Sequence, residues 1–428
     1  MTAFEIIALL LSLAALFSFT NYKLLHLPPT IGLMIMALLT STLVVGLSRI
    51  FPGVSPWAAR ILSAINFDHV LLHGMLGFLL FAGAINVDLG DLRKHWLVIS
   101  VLATVGVVLS TVIVGSLAWL SCRWLGLGLS FVQCLLFGAL ISPTDPIAVL
   151  AILKSVGAPK GFEVQIAGES LFNDGIGVVV FLGLLGFAGV TAHVPGDPDI
   201  WTVFWLFLRD AMGGVVFGLV AGLMAFYLLK HVDDYQVEIL ISVALVAGGY
   251  ALAERLHVSA PIAMVVSGLL IGNQGREYAM SARTVENLDK FWELVDEILN
   301  AVLFVLIGLV VMVLTFHKEH LVAGLLMIPG VLLARMVSVA APLGLIRQRC
   351  YTIPHGVKML TWGGLRGGIS VALALSLRDL FGAEMAPAAE TILMMTYVVV
   401  VFSIVVQGLT VAPLTRKLLA NSDQLRTL

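Results

Sequence analysis

Apolar runs of membrane-spanning length follow one another from residue 4 to residue 414, with only short polar or Gly/Pro breaks between them. A bilayer core about 30 Å thick is crossed by roughly 20 helical residues. A water-soluble fold could not bury so many such runs. The composition agrees: 60% of the 428 residues are hydrophobic and 12% are charged, against about 25% charged in soluble domains. The chain is therefore expected to be an all-α, polytopic membrane protein.

The runs read as about thirteen transmembrane helices, at 4–22, 29–47, 68–87, 97–120, 131–153, 164–189, 201–229, 237–253, 259–272, 294–315, 321–346, 357–377 and 388–414. Glu5 precedes the first apolar run and no basic segment does, so this run reads as a retained helix and not a cleaved signal. An outside N-terminus puts most of the Lys and Arg residues into cytoplasmic loops, so the C-terminus is expected inside. The balance of 24 Lys+Arg against 26 Asp+Glu gives no sign of a nucleic-acid partner. Cys122, Cys134 and Cys350 lie far apart, with neither metal-ligand spacing nor a disulfide framework, and no cofactor is expected. Residues 273–293 are the longest charged loop. Leu288, Phe291, Trp292 and Val295 fall there at helical spacing, which fits either an amphipathic cytoplasmic helix or a simple connector.

Two spans are interrupted. Ser142-Pro143-Thr144-Asp145-Pro146 places two prolines within four residues, and an unbroken helix tolerates neither, because each removes a donor and clashes with the preceding turn. Gly363-Gly364-Leu365-Arg366-Gly367-Gly368 surrounds one arginine with four glycines. These breaks fall in the fifth and twelfth helices. With the seventh as a linker, helices 1–6 and 8–13 would form two inverted six-helix repeats. Paired broken spans in such repeats point to a transporter's binding site.

Chemistry concentrates at Gly168-Glu169-Ser170-Leu171-Phe172-Asn173-Asp174-Gly175, which is followed at once by apolar sequence. Charges inside a membrane segment are costly and mark function by default. Ser170 and Asp174 are one turn apart and share a helix face. They offer a hydroxyl and a carboxylate, hard oxygen ligands suited to a cation. Glu169 and Asn173 share the adjacent face and could hold a buried arginine, for which Arg366 is the natural candidate. The break at Pro143–Pro146 frees backbone carbonyls near Thr144 and adds the Asp145 carboxylate. If the two spans touch, Asp145, Asp174, Ser170 and the Thr144 carbonyl converge on one pocket. Against this, Asp145 could merely cap its own break, and Glu169 and Arg366 could be a structural ion pair rather than ligands. Arg335, in the eleventh span, finds no partner at this level.

These three motifs, in this order, resemble those of the monovalent cation:proton antiporters, specifically the bacterial NhaP-type sodium/proton exchangers and the eukaryotic sodium/hydrogen exchangers related to them. Ala148 and Val149 extend the likeness at the first break. The resemblance implies the NhaA-like antiporter fold with two crossed broken helices. It implies a core domain, mainly 68–189 and 294–377, and a dimerisation domain, mainly 4–47, 201–272 and 388–414, with a cytoplasmic tail at 415–428. Asp174 would carry the cation or the proton, with Asp145 as a supporting carboxylate. Thr144 and Ser170 would complete the monovalent-cation site, and Glu169, Asn173 and Arg366 would form an ion-pair network. A homodimer in a bacterial inner membrane is implied. Asn173-Asp174 resembles the electroneutral branch, since the electrogenic branch carries two adjacent aspartates. One departure stands out: the third span has Ala82 and its apolar neighbours where many relatives carry an acid. This leaves sodium, potassium and lithium open as the cation.

Two other functions use paired intramembrane carboxylates. An intramembrane aspartyl protease would need Asp145 and Asp174 on neighbouring spans, but neither lies in a Gly-x-Gly-Asp pattern and Arg366 would have no role. A cation channel would show a repeated filter around a pore, and none is visible in the sequence.

Overall fold

Proline and glycine set the layout of this chain more than any other residues. The computed structural model describes residues 2–50, 69–146, 149–150, 153, 160–188, 200–345 and 356–426. Ala148, Cys350 and the boundary positions 68 and 189 lie outside them. The described residues form helices α1 (Ala3–Thr20), α2 (Pro29–Ile50), α3 (Leu76–Ile85), α4 (Leu89–Val101), α5 (Val107–Leu125), α6 (Phe131–Ile141), α7 (Lys160–Phe187) and α8 (Ile200–Leu229). Then follow α9 (Tyr235–Arg255), α10 (Ala260–Leu270), α11 (Ala282–Leu309), α12 (Lys318–Leu345), α13 (Gly356–Gly363), α14 (Gly368–Leu380), α15 (Gly382–Phe402) and α16 (Gly408–Arg426). Among these residues no strand forms, and nine helices are long and apolar enough to cross a membrane. Shorter apolar helices at Leu76–Ile85 and Phe131–Ile141 accompany them.

Local chemistry explains the starts and stops. Ser130 and Gln133 satisfy each other's backbone N–H groups in a capping box at the head of α6, which uses two of the four donors that a helix start leaves orphaned. Asp88, Asp234, Ser259 and Ser281 cap α4, α9, α10 and α11 more simply, each accepting one backbone N–H through its side-chain oxygen. Gly126 ends α5 with φ of 71°, a conformation costly for a residue with a Cβ. Outward-facing Met212, Val216, Val220 and Met224 of α8 are more than half exposed. Such an apolar stripe belongs against lipid and would be a liability in water.

Both expected breaks are present. Helix α6 stops at Ile141, and the chain is non-helical from Ser142 to Pro146; α13 stops at Gly363, and α14 begins at Gly368. The two non-helical pieces cross and pair, with Asp145 and Leu365 forming an isolated antiparallel bridge. One boundary differs from expectation. Of the two readings of the segment before residue 294, the amphipathic helix is the one found, but it is the first half of α11, which runs unbroken from Ala282 to Leu309. The charges at 286–297 do not end the helix, because buried Leu288 and Trp292 keep one apolar stripe running along it.

Helices α5 and α6 touch backbone to backbone. A Cβ on Gly138 would fall on the Thr111 carbonyl oxygen and 3.0 Å from the Gly115 nitrogen. Backbone atoms cannot step aside as a flexible side chain can. Gly138→Ala should therefore lower stability by about 1–3 kcal/mol, read as an earlier thermal unfolding transition in detergent. Gly248→Ala, where a Cβ would meet nothing within 4 Å, should leave that transition unchanged or raise it slightly.

Candidate functional site

The crossing point is built from orphaned backbone groups. When α6 ends, its last carbonyls lose their helical partners and carry the negative end of the helix dipole. Arg366 answers both. It is buried at 2% exposure, and its Nη1 donates to the Ser142 carbonyl and, at 3.0 Å, to the Pro143 carbonyl. The backbone N–H of Asp145 donates to the Leu365 carbonyl at 2.8 Å, and that of Arg366 donates to Ser403 Oγ at 2.9 Å. Ser142 Oγ donates back to the Gly138 carbonyl at 2.6 Å. A Cβ on Gly367 would lie 2.7 Å from the Asp145 Cβ, and one on Gly364 would lie 2.7 Å from Arg335 Nε. The glycines flanking Arg366 thus let the two breaks approach each other.

Helix α7 supplies the other half. Ser170 Oγ donates to the Thr144 carbonyl and lies 3.4 Å from Thr144 Oγ1. Asn173 holds Thr144 from both sides: its Oδ1 accepts from the Thr144 backbone N–H at 3.3 Å, and its Nδ2 donates to Thr144 Oγ1 at 2.8 Å. Thr144, Asp145, Ser170 and Asp174 line a single cavity of about 790 Å³. Asp145 and Asp174 are near enough to act on each other electrostatically. The structure therefore brings together the four oxygen-bearing residues that the helix-face reasoning grouped.

The arginine assignment needs correction. Glu169 does not meet Arg366. It makes a two-pronged ion pair with Arg335 of α12, at 2.5 Å (Nη1–Oε1) and 3.0 Å (Nη2–Oε2). Glu169 is 2% exposed, and Arg335 Nε also donates to the Leu360 carbonyl at 3.3 Å. Nor does Asn173 hold an arginine, since its carboxamide is occupied by Thr144. The physical reason is that the freed carbonyls of Ser142 and Pro143 already engage Arg366. The buried carboxylate is left to the other buried guanidinium, the one the sequence offered no partner for.

Ala82 lines the cavity and brings no acid. Carboxylates arrive instead from α11, where Asp289, Glu293, Asp296 and Glu297 line it together with Asn300. Sequence reasoning missed these. The signal was available, for each of the five has another three or four residues away, on the flank of the apolar stripe that drew notice.

A helical membrane protein whose two interrupted helices cross beside buried carboxylates belongs to the class of secondary transporters that bind their substrate between broken helices. Comparison with known proteins narrows the class. The model of the transmembrane sodium/hydrogen exchanger family matches residues 8–417, and the chain belongs to that family. It is 48% identical to the Na(+)/H(+) antiporter NhaP of Pseudomonas aeruginosa over 97% of each chain. It is 34% identical to the Na(+)/H(+) antiporter NhaH of Halobacillus dabanensis, over 92% of this chain and 93% of the other. Among solved structures, the sodium proton antiporter MjNhaP1 of Methanocaldococcus jannaschii shares the fold with a TM-score of 0.75, covering 97% of this chain and 98% of that one at 21% identity.

Removing one partner of the Glu169–Arg335 pair strands a buried charge. Glu169→Gln and Arg335→Met should each cost about 3–5 kcal/mol, seen as a large drop in unfolding temperature. The double variant should lose clearly less than the two singles combined, a coupling that a double-mutant cycle measures directly.

Proposed function

We propose that this chain is a sodium/proton antiporter that exchanges one cation for one proton by alternating access around Asp174. The single observation that carries this reading is the cavity in which Asp174 and Ser170 of α7 meet Asp145 and Thr144 of the crossed break. Carboxylate, hydroxyl and carbonyl oxygens suit a hard monovalent cation. The same Asp174 carboxylate is the proton's acceptor, so either the cation or the proton is carried, never both. Asp145 supports the site by adding negative charge. Asn173 stands beside Asp174 where a second aspartate would add another titrating group, which supports electroneutral exchange. The names of the relatives support sodium as the cation, and those relatives offer no support for a protease or a channel.

Alternating access follows from the layout. The core at 68–189 and 294–377 carries the crossing point and moves against the dimerisation domain at 4–47, 201–272 and 388–414. Buried pairs such as Glu169–Arg335 and caps such as Arg366 tie the crossing into one body, so that the site travels without coming apart. The protein works as a homodimer in a bacterial inner membrane, with its N-terminus outside and its C-terminus in the cytoplasm.

Proton flux in proteoliposomes decides the matter. Sodium should drive flux in the wild type, with lithium and potassium compared in turn. Asp174→Asn should reduce the flux to the level of empty vesicles while the protein stays folded; substantial exchange by that variant would overturn the proposal. An imposed voltage should leave the wild-type rate unchanged, because one-for-one exchange moves no net charge. Competition for one carboxylate also has a pH signature. Where Asp174 is mostly protonated, the apparent KM for sodium should rise about tenfold per unit fall in pH at constant maximal rate.

A further inference from the structure

Helix α11 is fixed in rotation by its apolar side. Trp292 is fully buried, packs on Phe81 with ring centroids 4.7 Å apart, and donates through Nε1 to Ser242 Oγ at 3.1 Å. This turns the adjoining face, which begins at Asp296 one turn on from Trp292, toward the cavity. On that face Glu293 and Glu297 are exposed, Asp289 and Asp296 are partly buried, and Asn300 is only 3% exposed.

Asn300 is the unusual member. It lines the cavity, yet neither its Nδ2 nor its Oδ1 has a hydrogen-bond partner of good geometry among the described residues. Buried carboxamides are normally satisfied, and an exception calls for a reason. Asp296, one turn earlier, is close enough to feel the carboxamide and also acts electrostatically on Asp145. It belongs to neither broken helix and makes no ion pair among the described residues, whereas Asp289 is paired with Arg276.

Resting on the antiporter reading, we propose that Asp296 and Asn300 form a second cation subsite, which holds an incoming monovalent cation in the cavity before it passes to Asp174. The Asp296 carboxylate supplies charge and the Asn300 carbonyl oxygen supplies a neutral ligand, both hard donors. Repulsion between Asp296 and the Asp145 carboxylate keeps the subsite receptive to a cation, and the nearness of Asp145 makes the onward step short.

Direct binding tests the subsite apart from transport. Purified Asp174→Asn protein should still be stabilised thermally by sodium chloride relative to choline chloride at equal ionic strength. Asp174→Asn/Asp296→Asn should lose that difference, and Asp174→Asn/Asp296→Glu should keep it. Equal sodium effects on all three variants would overturn the proposal. In proteoliposomes Asp296→Asn should raise the KM for sodium about tenfold, the size expected for losing one partly screened charge, with a smaller effect on the maximal rate. A lowered maximal rate at unchanged KM would assign Asp296 a structural role only and also overturn it. Should Asp296→Asn fail to fold, Asn300→Ala carries the same comparison, with KM raised if the subsite is real and unchanged if it is not. Absence of sodium-driven flux in the wild type would instead count against the antiport reading.

Discussion

Everything at the centre of this molecule depends on one crossing, in which two interrupted helices satisfy each other's backbone. Inside a bilayer an unpaired N–H or carbonyl has no water to turn to. A break is tolerated only if some other group supplies the missing partner. The Asp145 N–H takes the Leu365 carbonyl, and Arg366 of one break donates to the Ser142 and Pro143 carbonyls of the other. Neither break would be stable alone. Together they create a place where polar backbone, two carboxylates and a cavity coexist at membrane depth.

The surrounding polar groups divide into two kinds. Some are spent on architecture: Glu169 with Arg335, Asn173 with Thr144, and Ser142 with Ser110 at 2.9 Å. Others face the cavity with oxygen atoms that can bind a cation. Buried ion pairs are weak sources of net stability because desolvation offsets much of their attraction. Their value here is positional. Asn173 grips Thr144 on both its backbone and its hydroxyl, which aims the Thr144 carbonyl at Ser170 and holds the ligands on α7 in register with those of the break.

How much could be read in advance depended on the range of the interaction. The spans were legible because hydrophobic length is local. So were the breaks, since Pro143, Pro146 and the glycines around Arg366 act on their own backbone. Grouping Ser170 with Asp174, and both with Thr144 and Asp145, followed from helix periodicity plus one assumption of contact. Two features resisted. The partner of Glu169 could not be chosen between two intramembrane arginines by spacing. The stripe ending at Asp296 and Asn300 was hidden because only the apolar positions Leu288, Phe291, Trp292 and Val295 were placed on a helix, so the polar face beside them was never carried through into the span that follows.

The sequence by itself determined that this chain crosses a membrane many times, that two of its helices are broken, and that Asp174 lies in a polar cluster inside an apolar helix. These follow from hydrophobicity, proline sterics and the cost of buried charge, all of which act over a few residues. Only the tertiary structure decided that Arg335 pairs with Glu169 while Arg366 caps the opposite break, and that α11 brings carboxylates to the cavity that Ala82 lines. Those outcomes depend on which groups meet across helices, 166 residues apart for Arg335 and Glu169. In the low-dielectric interior each charge settles on whichever partner the packing brings within reach, and no local pattern encodes that choice.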